Sequence, residues 1–115
     1  MTQTTELRQT MRIYIGERNT HGGLPLYEAI VLFARRRNLA GASVFIGELS
    51  YGHSNLLPGS ETSLNRLSDD KPVLVEIVDY HHNIAEIMPH VIEMMGNKGM
   101  ITLADVTVAH RGKQH

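Results

Sequence analysis

The sequence predicts an α+β fold of order βαββαβ, in which two helices cover one face of an antiparallel four-stranded sheet, as in ferredoxin-like proteins. Four segments have the period of strands, and two intervening segments have apolar residues at helical spacing. The 115 residues are enough for one domain with its own core and too few for two. We therefore expect a domain over residues 10–111, a flexible N-terminal segment over residues 1–9 and a flexible tail over residues 112–115.

The first strand and the first helix are predicted in the N-terminal third of the chain. The segment MRIYIGE, residues 11–17, alternates Met and Ile with Arg and Tyr, which is the period of a strand with a buried face. Pro25 is a favoured first-turn residue, and apolar residues at helical spacing follow it as far as Leu39. We expect a helix from Pro25 to Leu39 that stops at Gly41.

The second and third strands are predicted on either side of a long connection. The segment ASVFIGEL, residues 42–49, and the segment PVLVEIVDY, residues 72–80, are rich in β-branched and aromatic residues. Between them, residues 50–71 show neither a helical nor an alternating period, and compact domains rarely contain so long a loop without a function. This loop is either an arm that responds to a ligand or partner, or a solvated connection.

The second helix and the last strand complete the predicted order. Asn83 and Glu86 have the spacing of a capping box, and an apolar stripe continues from there to Gly96. Pro89 within this stripe predicts a kink, or a helix whose regular part begins near Met88. The segment DVTVAH, residues 105–110, predicts a short fourth strand.

Both faces of the third predicted strand are apolar. Val75 and Ile77 lie on one face by alternation, whereas Leu74, Val78 and Tyr80 lie on the other. Two helices cover one face of such a sheet, and burying a Val or Leu side chain is worth ~1.5–3 kcal/mol. We therefore expect a homo-oligomer whose sheets pack against one another. The alternative is a monomer whose terminal segments fold back over the sheet.

Composition and charge exclude several classes of protein. Eleven Lys and Arg against twelve Asp and Glu leave a formal charge of −1, so no global basic field attracts nucleic acid. The chain has no cysteine, which excludes disulfides, thiolate nucleophiles and zinc–cysteine sites. Its start lacks the pattern of a signal peptide, and no apolar run reaches ~18 residues. We expect a cytoplasmic protein.

Neither metal binding nor catalysis is specified by a motif. His81 and His82 are adjacent and would point opposite ways on a strand, and no pair of histidines has the spacing of two ligands on one face. A metal site built on these histidines remains an alternative. Glu76 and His53 are the residues that an enzymatic alternative would require, but no nucleophile and base are specified. We expect a protein that is not an enzyme.

The glycine pair Gly22-Gly23 stands directly before the first helix. Glycine either eases a turn there or lets an anion reach the free N–H groups of the first helical turn, with Glu17 and His21 nearby. The sequence leaves both interpretations open.

Five blocks in order make this sequence resemble the uncharacterised PII-like family, which is related to PII signalling proteins and to CutA proteins. The blocks are RIYIGE, GGLPLYEAIV, LAGASVFIGELSYG, LSDDKPVLVEIVD and GMITLADVTV, within residues 11–110. The resemblance implies a ferredoxin-like protomer, a homotrimer, and an adenine nucleotide (AMP, ADP or ATP) in the clefts between subunits. The CutA relationship implies an alternative, a trimer whose histidines bind a divalent metal.

The resemblance also suggests site residues and a partner. PII proteins hold phosphates with a loop after the second helix, and GNKGM, residues 96–100, occupies that place. The loop over residues 50–71 occupies the place of the PII effector arm, which implies a target such as a membrane transporter or another protein. Arg111 would complete a basic wall from the same or the next subunit. With the glycine pair before the first helix, which PII proteins lack in the matching connection, the candidate ligand-contacting residues are Gly22, Gly23, Gly47, Gly96, Lys98, Gly99 and Arg111.

Overall fold

The computed structural model describes residues 6–48 and 70–112, which form six strands and two helices. The helices are α1 (Leu26–Arg36) and α2 (His81–Met95). The strands are β1 (Glu6–Gly16), β2 (Thr20–His21), β3 (Leu24–Pro25), β4 (Ala42–Ile46), β5 (Pro72–Asp79) and β6 (Met100–Val108). Apart from the two-residue strands β2 and β3, the order is the predicted βαββαβ.

Strands β4, β5, β1 and β6 form one antiparallel sheet in that spatial order. Strand β1 lies inside the sheet, where Ile13 opposes Val75 of β5 and Ile101 of β6. The first and third long strands are therefore central and the other two are edges. The ferredoxin-like α+β fold predicted from the sequence is confirmed.

The core lies between the helices and one face of this sheet. On β5, Val73, Val75 and Ile77 are buried and alternate with half-buried residues, as the pleat of a strand requires. The same face of β1 and the inner sides of both helices complete the core. Their buried residues are Met11, Ile13, Ile15, Leu26, Ile30, Ala34, Ile84, Ile87, Val91 and Met95.

Helix α1 ends earlier than predicted. The N–H of Leu39 donates to the carbonyl of Ala34 (3.1 Å) and the N–H of Asn38 to that of Arg35 (3.0 Å), which is the Schellman pattern. Asn38 has φ +62°, the left-handed conformation that Asn tolerates better than most residues. The helix is therefore terminated at Asn38, and the expected stop at Gly41 is wrong.

Helix α2 begins at His81, and its start is organised by Asp79 rather than by the expected capping box. Asn83 makes no cap bond to the backbone; its side-chain amide donates to Asp79 Oδ1 (2.7 Å). Asp79 also accepts from the N–H of Tyr80 (2.7 Å) and from that of Ala40 (2.8 Å). One buried carboxylate thus joins the α1–β4 connection to α2. The helix runs from His81 through Pro89, so of the two expectations the regular part beginning near Met88 is wrong, and the kink at Pro89 stays a prediction.

Strands β1 and β6 are longer than their sequence patterns suggest. Strand β1 starts at Glu6, so residues 6–9, expected in a flexible segment, pair with β6. Strand β6 starts at Met100 rather than at residue 105, and ends at Val108. The alternation of apolar and polar residues is weak in these two segments because they lie at β6, an edge strand that is exposed along most of its length.

The second face of the sheet carries no helix among the described residues. Leu74 and Val78 lie on this face and are half-buried, as the pattern of the third strand predicted. Register places an apolar row across all four strands near the end of β1, and a polar row beside it. The apolar row is Phe45, Leu74, Tyr14 and Met100, and the polar row is Ser43, Glu76, Arg12 and Thr102.

Candidate functional site

Six of the seven candidate residues lie around one end of the sheet, where β1 ends at Gly16. The hairpin of β2 and β3 follows β1 there, β4 leads into Gly47, and the loop from Gly96 to Gly99 precedes β6 beside Tyr14. Gly47 and Gly99 flank opposite edges of the sheet, about 14 Å apart by the usual strand spacing. Antiparallel topology therefore brings these segments to one end, but it does not gather them in one cleft of a single protomer.

Gly22 and Gly23 form the turn of the β2–β3 hairpin. Their φ values are +58° and +82°, and His21 pairs with Leu24 across them. Positive φ at both central positions is the signature of a type I′ turn, which glycine adopts at little cost. A Cβ atom on either glycine would meet no atom within 4 Å. The turn therefore explains the glycine pair without a ligand, and it leaves the pair open to solvent.

The loop after α2 contains the candidate lysine. Gly96 has φ +62° and its N–H donates to the carbonyl of Ile92 (3.0 Å), so it ends the helix. The N–H of Lys98 donates to the carbonyl of Met95 (3.1 Å). These two backbone donors are already used, and what the loop offers a ligand is the exposed Lys98 side chain.

Close packing against β1 explains why residue 99 is a glycine, as its surroundings show. Its φ is +73°, and a Cβ atom would come within 3.0 Å of both the Tyr14 carbonyl oxygen and the Ile15 side chain. The loop therefore crosses directly over the end of β1, which only glycine permits. This contact fixes the point on the surface from which the Lys98 side chain extends into solvent.

Gly47 lies where the long connection leaves β4. Its N–H donates to the carbonyl of Pro72 (2.8 Å), and a Cβ atom would stand 2.8 Å from Pro72 Cγ. At the other end of the connection, the N–H of Glu17 donates to the carbonyl of Lys71 (2.8 Å). Both ends of the connection are thus fixed to the same end of the sheet. The predicted arm, residues 50–71, otherwise lies outside the described residues.

Asn19 and Asp70 are two positioning residues that were not singled out from the sequence. Asn19 Oδ1 accepts from the N–H of Gly16 (2.8 Å), and the carbonyl of Asn19 accepts from the N–H of Leu26 (2.7 Å). Asp70 Oδ1 accepts from the N–H of Arg18 (2.9 Å). Short polar residues after a strand commonly bond to nearby backbone, which is the signal that could have found Asn19.

Arg111 lies at the opposite end of the sheet. Strand β6 runs from Met100, opposite Tyr14, to Val108, opposite Glu6, so its ends are about 26 Å apart at the rise of a strand. Arg111 follows Val108 and is exposed. Arg111 was expected to come from the same subunit as Lys98 or from the next one. Because the two residues lie at opposite ends of the sheet, Arg111 of the same protomer does not reach Lys98, and only Arg111 of a neighbouring subunit could.

The histidines near α2 have separate partners. The His81 ring nitrogen Nε2 lies 2.7 Å from Asp105 Oδ1, the His82 ring stacks on Tyr80 with centroids 5.6 Å apart, and His90 packs on Phe33. Within residues 6–48 and 70–112, no group of three or more His, Asp or Glu could hold a metal ion. The fold thus disperses the residues that a metal site would need.

Glu76, one of the residues of the enzymatic alternative, has a partner on the neighbouring strand. Its Oε2 accepts from Arg12 Nε (2.8 Å), while Asp79 lies on the helix side of the same strand. The two carboxylates are therefore on different faces of the sheet, as the alternation of side chains along a strand requires. His53, the other residue of that alternative, lies outside the described residues.

Sequence comparison identifies relatives along nearly the whole chain. The model of the family DUF190, described as Uncharacterized ACR, matches residues 8–108. The UPF0166 protein MJ1524 of Methanocaldococcus jannaschii is 32% identical over 98 residues, which is 85% of this chain and 88% of that protein. A UPF0166 protein of Aquifex aeolicus is 32% identical over 104 residues, which is 90% of this chain and 94% of the relative.

Structure comparison finds CPII from Thiomonas intermedia K12, a nitrogen regulatory PII-like protein. Its complex with ADP and bicarbonate has a TM-score of 0.62 at 10% identity and covers 95% of both chains. A complex with ADP, AMP and bicarbonate has a TM-score of 0.61 at 10% identity and covers 91% of this chain and 98% of CPII. Its apo form has a TM-score of 0.60 at 12% identity and covers 94% and 98%. These likenesses show a PII-like fold.

None of the helices in the described ranges has the length and apolar character needed to cross a bilayer.

Proposed function

Since the chain belongs to the DUF190 family and has a PII-like fold, we propose that it is a homotrimeric regulatory protein that binds an adenine nucleotide between its subunits. The observation that carries this proposal is the position of Lys98. It is exposed, and its loop is held over the end of β1 by the contact between Gly99 and Tyr14. CPII, which shares the fold, is described in complex with ADP and AMP.

The uncovered face of the sheet supports the trimer. Phe45 is 53% exposed and Met100 is 55% exposed, at the two ends of the apolar row. Side chains of this size contribute ~1.5–3 kcal/mol each when buried, so packing of this face against copies of itself is favourable. In this proposal, assembly also brings Arg111 of a neighbour to Lys98 as a second basic group.

The anchored ends of the long connection support a role in signalling. Residues 16–18 contact Asp70 and Lys71, and the N–H of Gly47 donates to the carbonyl of Pro72. These contacts lie at the end of the sheet that also carries the loop of Lys98. In this proposal, the arm over residues 50–71 has two conformations, and the nucleotide binds one of them more tightly. Binding of its phosphate near Lys98 therefore shifts the population toward that conformation. The arm, residues 50–71, would then bind or release a protein target, for which a membrane transporter is our working assumption.

The proposed protein acts in the cytoplasm by binding and not by turning over its ligand. Its nucleotide site uses the side chains of Lys98 and of a neighbouring subunit's Arg111, and it needs no metal ion. The dispersed positions of His81, His82 and His90 support this choice over a divalent-metal trimer.

Calorimetry tests the nucleotide proposal. The full chain is titrated with AMP, ADP, ATP and cyclic AMP, and its mass is recorded in parallel. We expect saturable binding of at least one nucleotide, close to one per subunit, and a loss of about tenfold in affinity for Lys98→Gln, because a charge-assisted phosphate contact is removed. Arg35→Gln, which removes an exposed charge from the end of α1, is the matched control and should bind like the wild type.

Absence of heat with all four nucleotides on a confirmed trimer would overturn the proposal. Equal weakening by Lys98→Gln and Arg35→Gln would show that only the overall charge matters, and it would remove Lys98 from the site. Hydrolysis products in the spent calorimeter cell would contradict the assignment as a binding protein.

A further inference from the structure

A groove of about 500 Å³ lies on the helix side of the sheet, away from the uncovered face. Helix α1, helix α2 and the β2–β3 hairpin form its three walls. We call it the outer groove. None of its lining residues except Gly22 belongs to the candidate nucleotide site, and the groove exists within one protomer.

The floor of the outer groove is apolar. Leu32 and Phe33 of α1, Met94 of α2 and Leu24 of the hairpin line it. Leu32, Phe33 and Met94 are only half-buried, and Leu24 is 37% exposed. Small-molecule sites commonly have volumes of roughly 300–1,000 Å³ and mainly apolar walls. The outer groove therefore has the size and the floor of a site for a small organic molecule.

The rim of the groove favours an anion. Arg36 contributes a permanent positive charge, and His21 and His90 add two imidazoles that can donate hydrogen bonds. Glu93 is the one carboxylate among the lining residues. The positive charge of Arg36 offsets the negative charge of Glu93. A ligand carboxylate would find donors on all three walls of the groove.

Neighbouring contacts fix the geometry of the groove. The His90 ring packs on Phe33 with centroids 5.2 Å apart, and the Arg37 guanidinium lies 4.9 Å from the Phe33 ring centre. Arg37 Nη2 is 3.4 Å from His90 Nε2, so His90 is held from the side of α1. The hairpin wall is fixed by its two-glycine turn and by the bonds of Asn19. A preformed groove lowers the entropic cost of binding.

We propose that the outer groove binds a small organic anion with a flat apolar body, such as an aromatic carboxylate. The body would lie on the floor formed by Leu32, Phe33 and Met94, and the carboxylate would pair with Arg36. This site shares only Gly22 with the candidate nucleotide site and does not depend on nucleotide binding. It would give the protein a second ligand, bound against the hairpin that follows β1.

Nuclear magnetic resonance of the ¹⁵N-labelled full chain tests this inference, with 2-naphthoate as the probe. We expect saturable shifts of amide signals in the hairpin, residues 20–25, and along the groove side of both helices. 2-Naphthamide has the same body without the charge and should bind about tenfold more weakly. Arg36→Gln should weaken naphthoate by a similar factor, and since Arg36 is exposed the core is untouched.

Arg35→Gln is the control, because Arg35 is adjacent in sequence but lines a different cavity, next to Asn38 and Leu39. It should leave naphthoate binding unchanged. Three results would each overturn the proposal: no saturable shift at the solubility limit of the probe, shifts confined to the uncovered face around Phe45 and Met100, or equal binding of naphthoate and naphthamide. A failure of ADP binding in the calorimeter would leave these outcomes unaffected.

Discussion

Arg12 and Glu76 form an ion pair across β1 and β5, with 2.8 Å between Nε and Oε2, in the middle of the uncovered face. In an isolated protomer such a partly exposed pair would be worth ~0–1 kcal/mol. If other subunits cover it, removal of one partner leaves a buried charge, which costs about 3–5 kcal/mol. The cost of removing one partner of this pair therefore shows whether the uncovered face is an interface between subunits.

We predict that Glu76→Ala dissociates the proposed trimer or shifts its assembly to much higher protein concentration, because Arg12 would be buried in the interface without a partner. Sedimentation velocity measures this directly. Glu86→Ala, on the exposed side of α2, is the control and should assemble normally. The double variant with Arg12→Leu and Glu76→Leu should assemble. A Glu76→Ala protein that assembles like the wild type would argue that the face stays in solvent.

Gly99→Ala should destabilise the fold by about 3 kcal/mol, since it combines a positive φ with a clash against β1. Gly96→Ala is the matched comparison. It has a positive φ but open space for a Cβ atom, and should cost less than Gly99→Ala because no clash adds to the backbone strain. Urea unfolding of both variants gives the two values. Equal costs would mean that the loop does not press on Tyr14 as described.

Substitutions in the hairpin separate the two roles proposed for Gly22 and Gly23. Gly22→Asn retains a sequence that type I′ turns favour and should change stability by less than about 0.5 kcal/mol, whereas Gly22→Val should weaken the hairpin by about 1–2 kcal/mol. If the pair acts only as a turn, Gly22→Asn will also bind ADP with wild-type affinity in the calorimeter. A loss of affinity in this folded variant would assign the glycines to the ligand.

Asp79 should make the free energy of unfolding depend on pH in the acid range. Burial alone would raise the pKa of its carboxyl group, but hydrogen bonds from Ala40, Asn83 and Tyr80, helped by the charge of Arg8, bring that pKa below its usual 3.8. A lowered folded-state pKa stabilises the protein above pH 3.8, and this contribution is lost as pH falls through the folded-state pKa.

We therefore predict that Asp79→Asn lowers the free energy of unfolding by about 2 kcal/mol at pH 7, and by less as the pH falls below 3.8. Urea titrations of variant and wild type at pH 7 and at acid pH measure the difference. Asp105→Asn removes an exposed partner of His81 and should have a small effect. A difference for Asp79→Asn that does not vary with pH would contradict the charged role of Asp79.

The fold could be predicted because strong periodicity accompanied the most buried elements. Val73, Val75 and Ile77 alternate and are buried, and the stripe of α2 contains four buried residues. The ends of elements depended on interactions that the pattern does not contain. Asn38 rather than Gly41 ends α1, and Asp79 rather than Asn83 organises the start of α2. The first depends on local hydrogen bonds around a left-handed Asn38, and the second on hydrogen bonds between segments.

The candidate site could be predicted in part. Topology explains why Gly47, Lys98 and Gly99 lie at one end of the sheet, because β4 ends and β6 begins there. The sequence could not show that each glycine has a structural reason of its own, because that depends on φ and on neighbours such as Pro72 and Tyr14. The outer groove was not predicted, since His21, Arg36 and His90 meet only in three dimensions.

The central claim, a nucleotide held between subunits, is tested most directly by ADP binding to mixed trimers. Lys98→Ala and Arg111→Ala subunits are prepared as homotrimers and as trimers refolded from an equal mixture. We predict that both homotrimers bind ADP poorly, and that the mixture recovers about one quarter of the wild-type sites, where Lys98 of one subunit meets a neighbour's intact Arg111. Mixed trimers that recover no sites, or homotrimers that bind normally, would contradict a site shared in this way.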